Sequence, residues 1–167
     1  MKVSVEQTAQ TIRNILSEYN KTDWTHIILG IIQTESSFNP LACRYEPHYK
    51  WLETPDIYAR KHGITKATEE VFQKTSWGLM QVMGAVYRQY GYDKPLNALS
   101  CDMEAQLIYG IKHFHRLYSH YKDLYKAILG YNRGYRVKDD DVKLALLSEN
   151  SYISKVLKNS KRFLEIA

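Results

Sequence analysis

The sequence predicts an all-helical fold, and three observations carry that expectation. Apolar residues recur at three- and four-residue spacing through most of the chain, as one face of a helix requires. Ser, Thr or Asp stands just before several of these runs, where a side-chain oxygen can accept from the first free backbone N–H groups. No segment shows the strict alternation of a half-buried strand, and no internal repeat or low-complexity linker divides the chain. At 167 residues it is long enough to bury a core and is expected to form one domain over residues 1–167.

Ser4 followed by Gln7 reads as a capping box opening a first helix, with Val5, Ala9, Ile12, Leu16 and Tyr19 at helical spacing. Thr22 or Asp23 caps a second helix that runs to Asn39–Pro40, where proline disfavours the helical conformation before it. Thr54–Pro55 starts a short helix with Gly63 as its stop. Another follows Trp77–Gly78 and ends near Gly91. Pro95 and Ser100 lead into a long helix through Tyr121, with Met103, Leu107, Ile111, Phe114 and Tyr118 along one face. Asp123 caps a helix through Tyr131 that turns at Gly134, and two more occupy Asp141–Leu147 and Tyr152–Ile166. The least regular stretch, Leu41–Lys74, reads as an elaborated loop region, the kind of segment where binding surfaces often sit.

Composition narrows the function classes. Hydrophobic residues make up 44% and charged residues 25%, a globular balance rather than a disordered one. The net charge of +5 favours anionic partners, namely nucleic acid, acidic membranes or cell-wall polymers. That excess is dispersed apart from Lys155, Lys158, Lys161 and Arg162, which read as a solvated helix face, and no helix pair concentrates a basic recognition surface. A nucleic-acid partner is therefore not expected. Fourteen tyrosines suit both helix packing and sugar-binding grooves, because the ring is apolar and its tip forms hydrogen bonds. Cys43 and Cys101 form neither a CxxC pair nor a metal-ligand spacing and read as reduced thiols. His113 and His115 face different directions on a helix, and His26, His48, His62 and His120 form no ligand set, so no metal is expected. The start MKVSVEQTAQ has no apolar run after its lysine, and no run approaches a membrane span of about 18 apolar residues. The chain is expected to be made in the cytoplasm, without stable membrane insertion, as a monomer.

One residue breaks the helical pattern. Trp24, Ile27, Ile28, Ile31 and Ile32 gather into one stripe, and Glu35 falls in the middle of it. A carboxylate there is paired, exposed at the helix end, or kept for chemistry. Desolvation would raise its pKa and let it donate a proton near neutral pH.

The residues around Glu35 carry a resemblance. Glu35-Ser36-Ser37-Phe38-Asn39-Pro40 resembles the first motif of the lytic transglycosylase domain of the soluble-lytic-transglycosylase type. Gly78-Leu79-Met80-Gln81, with Met83 two residues on, resembles its second motif. Ala127-Ile128-Leu129-Gly130 followed by Tyr131-Asn132-Arg133-Gly134 is similar to its third. Each tetrapeptide alone is weak, whereas three in this order, spanning Trp24 to Gly134, are specific. The stretch between the first two motifs is longer than in compact members and carries Arg44-Tyr45-Glu46-Pro47, which resembles a feature of phage and prophage members.

The resemblance implies a lysozyme-like helical fold and an enzyme that cleaves peptidoglycan glycan strands without a cofactor. It implies that Glu35 serves as general acid and then base, and that Gln81 lines the groove and hydrogen-bonds sugar or peptide groups. Met83 would form an apolar floor, Tyr131 would orient the Glu35 carboxyl, and Asn132 would brace that loop. Against these roles stand a core Met83 and a packed helix-end Tyr131. Glu46 is the candidate second carboxylate, and its alternative is a surface residue paired with Arg44. A lytic transglycosylase needs one carboxylate because the substrate's own 6-hydroxyl is the nucleophile, whereas a hydrolytic muramidase on the same fold needs a second to activate water. A non-catalytic wall-binding or virion module would not need Glu35, Gln81 and Tyr131 together. The expected agent is a lysin, released or delivered to the wall in a phage- or secretion-associated setting.

Overall fold

A computed structural model describes residues 3–166; Met1, Lys2 and Ala167, part of the terminal readings above, lie outside the described residues. The architecture is helical, with a small antiparallel sheet set into it. Helix α1 (Val5–Ser17) begins as expected, the Ser4 side chain accepting from the Gln7 N–H, and it buries Ala9, Ile12 and Leu16. A short 3-10 turn over Thr22–Trp24 leads into α2 (Thr25–Glu35), buried along most of its length from Ile27 to Ile32. Nearer the C-terminus come α6 (Met103–Tyr121), α7 (Leu124–Arg133), α8 (Asp139–Leu146) and α9 (Tyr152–Lys161). Asp123 caps α7 as expected, whereas α6 is capped by Asp102 just beyond the expected Ser100, and each carboxylate accepts from a first-turn N–H. One apolar cluster joins α1, α2, α6, α7 and α9, from Ala9 through Ile28, Ile111 and Ile128 to Val156 and Phe163.

The second helix ends earlier than the proline predicts. It stops at Glu35, because Ser37 and Phe38 take left-handed backbone angles, φ 51° and 62°. Such angles are uncommon without glycine and need outside support. Phe38 is 4% exposed and meets the ring of Phe163 edge-on, and the Ser36 hydroxyl donates to the Leu79 carbonyl at 2.8 Å. The chain thereby turns off the helix immediately after Glu35 and leaves that carboxylate at a helix end.

The stretch expected to be loop holds more structure than its residues suggest. Helix α3 (Pro55–His62) starts and stops at the predicted Pro55 and Gly63. A further helix, α4 (Lys66–Gln73), is capped by Thr65, whose hydroxyl accepts from the Thr68 N–H. Strands β1 (Cys43–Tyr45), β2 (Thr75–Trp77) and β3 (Val82–Met83) form an antiparallel sheet in that order. Two or three residues are too few for alternation to show, which is why no strand is legible in the sequence. The helix expected directly after Gly78 begins only at Gly84, as α5 (Gly84–Gln89).

A buried ion pair ties this insert to the body. Glu69 of α4 and Arg88 of α5 are both fully buried, with Arg88 Nε 2.8 Å and Nη2 3.1 Å from the carboxylate. Arg88 Nη1 donates to the carbonyls of Tyr92 and Lys94, and its guanidinium lies over the Tyr58 ring at 4.1 Å. Every strong partner is thus satisfied, the condition under which a buried pair is tolerated.

Candidate active site

Glu35 sits half-buried at the C-terminal end of α2. Burial pushes its pKa above the ordinary carboxylate value; a hydrogen bond from Tyr152 and the positive charge of Arg44 pull the other way. Tyr152, the first residue of α9, donates its hydroxyl to Glu35 Oε1 at 2.6 Å. Its phenol is held far above its normal pKa by burial and by the Glu35 charge, so it remains a donor throughout the working range. With Oε1 occupied as an acceptor, the proton of the neutral acid belongs on Oε2.

Close packing of α2 on α9 makes that contact. The two helices run antiparallel, and at Gly30 a side chain would lie 2.8 Å from both Ser160 Cβ and the Val156 carbonyl. Asn159 donates to Thr34 Oγ1 at 3.0 Å one turn nearer the acid.

The turn Gly78-Leu79-Met80-Gln81 joins β2 to β3 beside this helix end. Gly78 has φ 72°, and a Cβ there would sit 2.2 Å from the Gln106 side chain, so glycine is required twice over. Gln106 is fully buried on α6: its carbonyl accepts from the Leu79 N–H, and its amide donates to Pro40 and Leu99. It thus locks the second motif to the end of the first. Gln81, at φ 50°, directs its amide inward to the carbonyls of Ala42 and Gly78, while its carbonyl accepts from Ser76. Both amide hydrogens and the amide oxygen are taken up inside the protein, so where the resemblance implies hydrogen bonds to sugar or peptide groups Gln81 here braces the turn.

Across the sheet Arg44 pairs with Ser76 and Ser76 with Met83, and directly opposed residues project from the same face. Arg44, Ser76 and Met83 therefore line one side, and Arg44 acts on the charge of Glu35. Met83 is half-buried there, so it is not a core residue.

Tyr131 lies within the third motif on α7, and the Glu35 charge acts on its buried phenol. Its hydroxyl, however, donates to the Met80 carbonyl at 2.9 Å. This corrects the expected orienting role: Tyr131 fastens the second motif, and Tyr152 holds the acid. Behind Tyr131, His113 accepts from or donates to the Tyr90 hydroxyl at 2.9 Å, and burial lowers its pKa to about 4, so the ring stays neutral. Asn132 is exposed on the same helix end. Glu46 is paired with Arg44, the alternative its sequence position left open. No group of three or more His, Cys, Asp or Glu among the described residues could hold a metal ion.

The model of the transglycosylase SLT domain family matches residues 13–151, most of the chain. The chain belongs to this family. Its members degrade peptidoglycan, and the SLT match encloses Glu35, the turn at Gly78 and Tyr131. Comparisons with curated proteins and with solved structures return no match. The SLT match stops one residue short of Tyr152, the side chain that touches Glu35. Sequence reasoning missed both Tyr152 and Gln106. The only signal for Gln106 is a polar residue one turn before Gly110 on a buried helix face. Tyr152, 117 positions from its partner, carries no local signal at all.

Proposed function

We propose that the protein is a peptidoglycan lytic transglycosylase that cleaves the bond from N-acetylmuramic acid to N-acetylglucosamine and leaves 1,6-anhydro ends. The observation that carries this reading is a single half-buried carboxylate with a raised pKa, held at one oxygen by Tyr152, while the other candidate acid, Glu46, is committed to Arg44. Glu35 Oε2 gives its proton to the glycosidic oxygen as the C–O bond breaks. The charge developing at the anomeric carbon is shared by the muramic acid's own acetamide. Glu35, now a carboxylate, takes the proton from the 6-hydroxyl of the same sugar as its oxygen bonds to the anomeric carbon. The acid is thus restored with no water consumed, and the internal nucleophile gains from its high effective concentration. Met83, on the Arg44 face, supplies apolar surface that favours exclusion of water.

We also read the enzyme as of phage or prophage type, a reading supported by Arg44-Tyr45-Glu46-Pro47, the segment that forms β1 and its ion pair. No helix among the described residues is long and apolar enough to cross a membrane. The direct test uses purified sacculi. Wild-type protein should release muropeptides, and Glu35→Gln, nearly isosteric but unable to donate the proton, should lose about 10²–10⁴-fold of that rate or more. A folded Gln variant with near-native release would remove Glu35 from the mechanism.

A further inference from the structure

Trp51 is spent on nothing inside the fold. It is 73% exposed, whereas Trp24 is 5% exposed, and Trp77 is half-buried with its indole N–H donated to Phe72. Tyr49 meets the Trp51 ring edge-on, with centroids 5.5 Å apart at 74°, and burial raises the pKa of the Tyr49 phenol. The exposed ring is therefore propped by a half-buried one.

The segment carrying these rings is anchored at both ends. Glu46 N–H donates to the Lys74 carbonyl at 2.8 Å, and Tyr49 N–H donates back to Glu46 at 3.0 Å. Glu53 exchanges two hydrogen bonds with the buried Gln73 side chain, whose amide also donates to Glu69. Glu69 is the acid of the fully buried pair with Arg88. A desolvated charge network thus secures the base of an exposed aromatic segment, a costly anchor for a surface that had only to stay soluble. A surface held in its binding shape loses less entropy when a ligand arrives.

We propose that Trp51, backed by Tyr49, is a stacking platform for a sugar ring of the glycan strand on the Arg44 side of Glu35; the proposal rests on the glycan-cleaving reading above. The turn from Glu46 to Tyr49 starts the aromatic segment directly from the partner of Arg44, and Arg44 acts electrostatically on Glu35. A β-linked pyranose offers an apolar C–H face that packs on the electron-rich face of an indole. The exposed Arg44 guanidinium complements the carboxylates of the peptide stems, or of muramic acid itself where the stem has been removed.

Peptide-free glycan strands, prepared from sacculi by removing the stems, are the probe. Trp51→Ala should raise the strand concentration for half-maximal cleavage about tenfold, and Trp51→Tyr should restore most of it, because an aromatic face is kept. The exposure of Trp51 predicts wild-type thermal unfolding for both variants. Strand binding by Glu35→Gln should weaken in parallel when Trp51→Ala is added. Half-saturation of Trp51→Ala equal to that of a cleaving wild type overturns the platform alone. A wild type that neither binds nor cleaves the strands overturns the glycan reading as well.

Discussion

Glu35 and Tyr152 act as one unit, and the hydrogen bond between them has a measurable sign. The Tyr152 hydroxyl lowers a carboxyl pKa that burial raises. Replacing Tyr152 with Phe removes the donor but keeps the ring, so the Glu35 pKa moves further up. A general acid works only while protonated, and activity falls as pH rises through its pKa. The alkaline limb of the kcat/KM profile, which reports the free enzyme, should therefore shift to higher pH in Tyr152→Phe. Turnover at the optimum should fall roughly tenfold or more, the worth of a hydrogen bond to a charged group. An unmoved limb would mean that Tyr152 does not act on the acid. At this scale the sequence is legible where a residue contradicts its neighbours. Glu35 stands out as a carboxylate in a stripe of isoleucines, whereas Tyr152 follows its own helical pattern and its role exists only across the fold. Tyr131 misleads for the same reason: the motif names the residue, but packing against α6 aims its hydroxyl at Met80.

Between elements, the close crossing of α2 and α9 decides the site. The backbone approach at Gly30 leaves no room for a methyl group against Val156 and Ser160. Gly30→Ala should cost about 1–3 kcal/mol in urea denaturation, as overpacking does. It should also lower lysis by more than the unfolded fraction explains, because α9 carries Tyr152. Equal stability and lysis would show that the crossing has slack. Helices α1, α6 and α7 are readable from periodicity or a cap, since each buries one face against the body, whereas α9 stops at Lys161, short of the expected Ile166. The strands are not readable, because each is two or three residues long and is held by partners from distant parts of the chain. Nor is the early end of α2, since left-handed Ser37 and Phe38 are enforced by Leu79 and Phe163 rather than by their own propensity.

Across the whole molecule, a helical body places a raised-pKa acid beside a sheet and turn locked by Gln81, Gln106 and Tyr131. In the proposed mechanism that division of labour leaves one carboxylate for the chemistry, and the product reveals whether one suffices. Muropeptides released from sacculi in ¹⁸O-labelled water, analysed by mass spectrometry, test this most directly. One-carboxylate chemistry predicts 1,6-anhydro-N-acetylmuramic acid ends, one water lighter than hydrolytic products and free of ¹⁸O. Reducing muramic acid ends carrying ¹⁸O would contradict it, make the enzyme a muramidase, and require Glu46 or another acid to activate the water.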